Sequence, residues 1–202
     1  MTDLMKMSEM AKLLDTDFAI DDENENIYET LTRYFMGRED FDPFKIVGNK
    51  ASLKKGLLLA GLTGVGKTYA MKIFSELSKG SNKFFIPISS MKFVQAFDKG
   101  GFEAIGVGSD LTEIRDKKYR DGTRFCFDDL GSERLGNYQT EVMQHVLEDK
   151  IEKWEETGQI FHITTNFTIG ELGERYGKRI ESRLYQVFNI ISFTGRDRRI
   201  EL

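Results

Sequence analysis

A chain of 202 residues, 40% hydrophobic and 31% charged, can close one sizeable core and leave at most a small appendage outside it. A single cysteine, Cys126, excludes an internal disulfide and any cysteine-rich zinc module. No apolar run approaches the roughly 18 residues that span a bilayer, and no signal-peptide pattern opens the sequence, so a cytoplasmic protein with no membrane partner is expected. The net charge of −4 is unevenly placed, because residues 1–50 hold 12 acidic and 6 basic side chains and residues 51–202 hold 21 and 23. That small basic excess permits DNA contact, whereas a dedicated duplex binder is usually far more basic.

Residues 1–14, with Met1, Leu4, Met5, Met10, Leu13 and Leu14, have the spacing of a short Met-rich amphipathic helix. It reads either as a cap on its own domain or as a docking helix for a partner. Residues 15–26 are acidic and read as a linker. Ile27, Tyr28, Leu31, Tyr34 and Phe35 repeat at helical spacing, and Pro43 and Gly48-Asn49 then break the chain. From residue 56 onward, strands at 56–60, 84–89, 124–128, 159–165 and 187–193 alternate with helices. The helices are predicted near 67–79, 90–104, 110–118, 138–157 and 168–185. Such alternation predicts an α/β fold, a five-stranded parallel sheet flanked by helices. The organisation expected is a leader over 1–50 and a core over 51–202.

Residues 61–68 read Gly-Leu-Thr-Gly-Val-Gly-Lys-Thr, which fits the phosphate-loop pattern with Gly61, Gly66, Lys67 and Thr68 at its fixed positions. An apolar strand precedes it and an amphipathic helix follows, which is the context the motif needs. Backbone N–H groups of such a loop wrap phosphates, and the helix N-terminus adds partial positive charge. The nucleotide contacts expected are Gly61, Thr63, Gly64, Val65, Gly66, Lys67, Thr68 and Tyr69. Lys67 reaches the β- and γ-phosphates, and the Thr68 hydroxyl sits on Mg²⁺.

Residues 124–131, Arg-Phe-Cys-Phe-Asp-Asp-Leu-Gly, form an apolar strand ending in two carboxylates. Asp128 is expected at the Mg²⁺ shell, and Asp129 as the base that polarises an attacking water. Asn166 closes the next strand. It reads as a γ-phosphate or water-orienting amide, or as the N-cap of the helix beginning near Thr168. Farther on, Arg175, Arg179 and Arg183 share one predicted helical face. They read either as a solvated basic face balanced by Glu171, Glu174 and Glu181, or as arginine fingers reaching the nucleotide of a neighbouring subunit.

In this order, GLTGVGKT, CFDDLG, ITTN and KRIESRL, the chain resembles AAA+ ATPases. It is most similar to the branch of DnaC-type replicative helicase loaders and IstB-type insertion-sequence ATP-binding proteins. The Asp-Asp-Leu-Gly form with Ser132-Glu133 after it, the Thr-Asn strand end, Ser182-Arg183-Leu184 and the ending from Phe193 to Arg199 carry the resemblance, over about residues 45–200. It implies a P-loop NTPase of AAA+ type, an ATP hydrolase with Lys67 and Thr68 as Walker A and Asp128 and Asp129 as Walker B. Asn166 is then sensor 1 and Arg183 the finger, with Arg179 the second candidate. The chain stops at Leu202, which implies no C-terminal helical lid and no lid arginine. No N-K-x-D element follows the last strands, so ATP is expected over GTP.

The resemblance further implies ATP-dependent self-association, with a replicative helicase or a transposase as protein partner and DNA as client, single strands favoured. Single-stranded DNA would follow the region 90–120, where Lys92, Arg115, Lys117, Lys118 and Arg120 offer charge. Phe93 and Phe97 read as core there, together with Val94 and Phe102. The tail arginines 196, 198 and 199 read as DNA or neighbouring-subunit contacts. An IstB-like ATPase wrapping duplex DNA, and a nucleotide-dependent interaction module that hydrolyses little, are the alternative readings. His145, His162 and Cys126 read as structural, and Trp154 as an anchor for the long helix.

Overall fold

The computed structural model describes residues 3–14, 18–41, 50–105 and 124–200. Five strands, β1 (Gly56–Ala60), β2 (Ile86–Ser89), β3 (Phe125–Leu130), β4 (His162–Thr165) and β5 (Phe188–Ser192), form one sheet in the order β2-β3-β4-β1-β5. All pairings are parallel. Parallel strands need crossovers, and helices supply them on both faces. On one face lie α1 (Asp3–Leu14), α2 (Glu25–Phe35) and α3 (Lys67–Leu77). On the other lie α4 (Ser90–Ile105), α5 (Val142–Thr157), α6 (Ile169–Tyr176) and α7 (Lys178–Val187).

The central strand β1 shows why its apolar run is continuous. Leu57 and Leu59 enter the cluster with α1 to α3, while Leu58 enters the cluster with α4 to α7. All three are fully buried, which contributes roughly 1.5–3 kcal/mol each. Alternation is invisible there because both faces are covered. On α2 the buried set Ile27, Tyr28, Leu31 and Tyr34 follows helical spacing. α1 buries only Met7 and Ala11, and leaves Met10, Leu13 and Leu14 exposed. Phe93 and Phe97 are core, as expected, but Phe102 is not: it stays 37% exposed, edge-on to Phe97 and His145 beyond a kink at Gly100-Gly101.

Two predicted helices need correction. The 138–157 helix starts only at Val142, because Tyr138 and Gln139 take left-handed backbone angles in a short 3₁₀ turn. The 168–185 helix is two helices, broken at Gly177 with φ 99° and ψ 151°. A residue with a Cβ rarely adopts that angle, so glycine sets the break. Helical periodicity survives across such a break, which is why the sequence reads as continuous. The predicted 110–118 helix lies outside the described residues.

Two buried polar side chains tie distant parts of the chain together. Asn189 of β5 accepts from the Ser52 N–H at 2.8 Å and donates to Ser52, Lys55 and Gly56 carbonyls. His162 is fully buried, and its Nδ1 accepts from the Leu57 N–H at 3.0 Å. Burial holds its pKa down to about 3, with the Arg124 and Lys83 charges acting in the same direction. The unfolded imidazole takes its proton near 6.5, so between 6.5 and 3 the unfolded state binds the extra proton. Stability is therefore full above that window and falls through it, by up to about 1.4 kcal/mol per pH unit. His162→Asn, whose Oδ1 can accept the same bond, is expected to flatten this part of a urea-unfolding series. An equal slope in the variant from pH 6 to pH 4 would contradict the assignment.

Candidate functional site

Because every strand is parallel, β1, β3, β4 and β5 deliver their carboxyl ends to one edge. Ligands of open parallel sheets collect at that edge. There the loop after β1 turns through Gly64 (φ 83°) and Gly66 (φ 105°) into α3. These left-handed glycines curl the backbone so that successive N–H groups converge, a geometry built for anions. Gly66 is the N-cap of α3 and supplies no side-chain cap, so the first-turn amides are left for another acceptor. Gly61 follows the strand, pressed against the Phe193 carbonyl where no Cβ would fit, and Val65 is buried beneath the loop.

Lys67 is 5% exposed. Its Nζ donates to the Gly61 and Leu62 carbonyls, both at 2.7 Å, and to Asn166 Oδ1 at 2.8 Å. Three donors therefore meet three acceptors. Burial lowers the ammonium's pKa, and the Asp129 and Asp128 carboxylates resist that shift. Asn166 is thus spoken for by Lys67. The N-cap reading of Asn166 is overturned, because Thr168 caps α6 with a full capping box to Glu171.

Thr68 Oγ1 donates to Asp128 Oδ1 at 2.8 Å, and the Ser90 hydroxyl donates to the Asp128 carbonyl at 3.1 Å. In a regular strand Asp128 and Asp129 would point to opposite faces. Instead the β3–β4 register shifts between Phe127 and Leu130, and Asp129 takes φ 55°. Such a bulge re-aims a side chain, at a cost of about 1–3 kcal/mol for the left-handed residue. Asp129 thereby lines the cleft beside Lys67 and Asn166. Its side chain is open to solvent, yet the surrounding walls raise its carboxyl pKa, and the Asp128 charge adds to that.

The cleft has a volume of about 1000 Å³, at the upper end of what a small-molecule or cofactor site needs. Thr63, Gly64, Val65, Gly66, Lys67, Thr68 and Tyr69 form its floor. Phe18, Ala19, Asn24 and Tyr28 form a wall from the leader, and Arg196, Arg198 and Arg199 a wall from the tail. Arg198 clasps Asp21 with two bonds of 2.8 Å, and its N–H donates to the Gly64 carbonyl at 3.0 Å. Hydrogen bonding from Arg198 in turn lowers the Asp21 pKa. The Arg199 charge acts on both Lys67 and Asp129. Among the described residues no helix follows β5, yet an arginine from that tail faces the cleft. The sequence reading left it among contacts to DNA or a neighbour.

The basic stripe does not form as expected. Arg175 ends α6, on the far side of the Gly177 break from Arg179 and Arg183. It bonds the Gly131 carbonyl, the Glu133 carbonyl at 2.7 Å and the Glu141 carboxylate at 3.1–3.2 Å. The buried Glu133 carboxylate accepts from Tyr176 Oη and from the Gly131 N–H, the latter at 2.9 Å. Arg175 therefore secures the loop after Asp129. Arg183 pairs with Glu155 of the same chain, and Arg179 is exposed beside it.

Lys92 is exposed on α4; Arg115, Lys117, Lys118 and Arg120 lie outside the described residues. Sequence reasoning missed Tyr138, which is 98% exposed at φ 58°. Its turn is pinned by Asp98, which accepts from the Asn137 N–H at 2.7 Å and from Arg134. An exposed aromatic has no periodic signature, so only the Gly-Asn-Tyr turn chemistry hinted at it.

A glycine-lined loop, a buried lysine and two carboxylates at the carboxyl edge of a five-stranded parallel sheet define a P-loop fold of the AAA+ type. Solved structures of the DnaC helicase loader, of DnaI and of DnaA share this fold. A crystal structure of the DnaC helicase loader aligns over 90% of this chain and 96% of its own, with a TM-score of 0.58 at 19% identity. DnaI aligns over 92% and 93%, with a TM-score of 0.57 at 23% identity. AMPPCP-bound DnaA from Aquifex aeolicus aligns over 91% of this chain and 51% of its own, with a TM-score of 0.57 at 16% identity. At these identities the likeness is one of fold. No protein-family model and no curated protein matches the chain.

Proposed function

We infer that this protein is an ATP-binding AAA+ ATPase that serves DNA replication as a DnaC-like helicase loader. The observation that carries the reading is the convergence of Lys67, Thr68, Asp129 and Asn166, from three strand ends, in one cleft, with Asp128 hydrogen-bonded to Thr68 behind them. The loop amides and Lys67 hold the triphosphate, and the leader wall of Phe18, Ala19 and Tyr28 takes the base. The Thr68 hydroxyl and the Asp128 carboxylate, joined by a 2.8 Å hydrogen bond, set hard oxygen donors side by side, a set that fits Mg²⁺. Bound there, Mg²⁺ would supply neutralising charge to the triphosphate.

Asp129, its pKa raised by burial and by Asp128, takes the proton of the attacking water. Lys67, Asn166 and Arg199 face the γ-phosphate side from within the subunit. Arg183, seconded by Arg179, completes the site of a neighbouring copy. The client is a replicative helicase with single-stranded DNA. The exposed Tyr138, in the turn that Asp98 ties to Arg134, supports that choice, because aromatics stack on unpaired bases and guanidinium groups follow the backbone.

The test is hydrolysis and binding with Asp129→Asn. The variant is expected to bind Mg-ATP as the wild type does, and to turn it over about a hundredfold or more slowly, the usual weight of a general base. Single-stranded DNA is expected to change the wild-type rate, and a duplex of equal length to do so less. No binding of Mg-ATP by the wild type would overturn the reading. Stimulation by duplex alone would move the client to the IstB-like alternative.

A further inference from the structure

Asp128 and Asp129 both depend on a side chain outside the phosphate loop and outside β3. Thr164 of β4 is fully buried. Its Oγ1 donates to Asp128 Oδ1 at 2.7 Å and accepts from the Asp129 backbone N–H at 3.0 Å. One hydroxyl thus bridges the two acids at the point where β3 bulges and Asp129 turns left-handed. Its proton has one direction to go: the Asp129 N–H fills a lone pair, so the hydrogen points at Asp128. On the other side of the same Oδ1 stands the Thr68 hydroxyl at 2.8 Å. Asp128 Oδ2 takes no hydrogen bond from the described residues.

We propose that Thr164 is a positioning residue that sets both acids at once. Through Oδ1 it fixes the Asp128 rotamer against Thr68, leaving Oδ2 for the metal side. Through the Asp129 amide it holds the bulge that carries the Asp129 carboxylate into the cleft. The chemistry of the bridge needs a group that donates and accepts at one atom, which valine cannot supply and serine can. The inference rests on the nucleotide reading above, and deepens it by naming what assembles the acidic pair.

The experiment compares wild type, Thr164→Val and Thr164→Ser, reading ADP affinity by calorimetry with Mg²⁺ and with a chelator, and ATP turnover. Without Mg²⁺ the three are expected to agree within about twofold, since the loop amides and Lys67 are untouched. The gain in affinity on adding Mg²⁺ is expected to shrink about tenfold in Thr164→Val, the usual weight of one hydrogen bond to a charged group. Its kcat is expected to fall about tenfold or more, on top of a KM that rises with the lost Mg²⁺-dependent affinity, because a displaced Asp129 is felt in the transition state. Thr164→Ser is expected to recover most of both. If Thr164→Val does not fold, Thr164→Ala against Thr164→Ser reads the same difference. A hydroxyl-free variant that matches wild type in both readouts overturns the role, and so does a serine variant as impaired as the hydroxyl-free one. A wild type that gains no affinity from Mg²⁺ overturns the functional reading itself, which separates the two failures.

Discussion

Lys67→Ala is expected to bind Mg-ATP about a hundredfold more weakly than wild type, because removing one partner of a buried charged contact costs about 3 kcal/mol. The physical basis is preorganisation. The ammonium is held by two loop carbonyls and Asn166 before any phosphate arrives. A nucleotide has to displace one of those three acceptors, and the Asn166 amide, at the end of β4, is the one that can turn away. Exchange at that position links the strand-end amide to the state of the γ-phosphate. Calorimetry with Mg-ATP measures the loss directly, and circular dichroism checks that the variant is folded. Affinity within a few-fold of wild type in a folded variant would remove the lysine from the site and with it the phosphate role of the loop.

The second large effect is expected at Arg183. Turnover per subunit in the wild type should rise with protein concentration, as copies meet and the guanidinium reaches a neighbour's nucleotide. Arg183→Ala should bind ATP normally and lose that rise, by about a thousandfold where a finger acts in trans. The guanidinium is paired with Glu155 of its own chain, with side chains 29% and 35% exposed. Such a half-exposed pair is weak, so a triphosphate can take the arginine from it. Turnover measured across a dilution series, with mass by light scattering, distinguishes the outcomes. An equal rise in the variant would place the finger elsewhere, with Arg179 first in line.

Much of the fold was legible because its signals are local. Apolar runs at Gly56–Ala60 and Phe188–Ser192 mark buried parallel strands, and the glycines at 61, 64 and 66 mark the loop. The helix bounds blurred where one backbone angle decides, at Tyr138 and at Gly177. The site was read through residue types in order, which found Lys67, Thr68, Asp128 and Asn166 where the structure brings them together. What escaped depends on distant partners. Arg198 meets Asp21 across 177 residues of sequence, and Arg175 meets Glu133 and Glu141 through buried bonds that no spacing announces. The bulge at Asp129 also escaped, because adjacent carboxylates read the same whether a strand is regular or kinked.

The clamp formed by Arg175 has a mechanical side. It fastens α6 to the loop that begins two residues past Asp129, through the Gly131 and Glu133 carbonyls and the Glu141 carboxylate. α6 cannot shift without tearing that loop, so it moves as one piece with the acidic pair. α7, which carries Arg183, turns away at Gly177 but packs back on α6, where Gly173 leaves room for the Glu181 side chain and Ile180 and Leu184 share the core with Leu172 and Tyr176. The arm offered to the next copy is thereby braced against the half of the machinery that attends to its own nucleotide, so a shift in one is felt by the other.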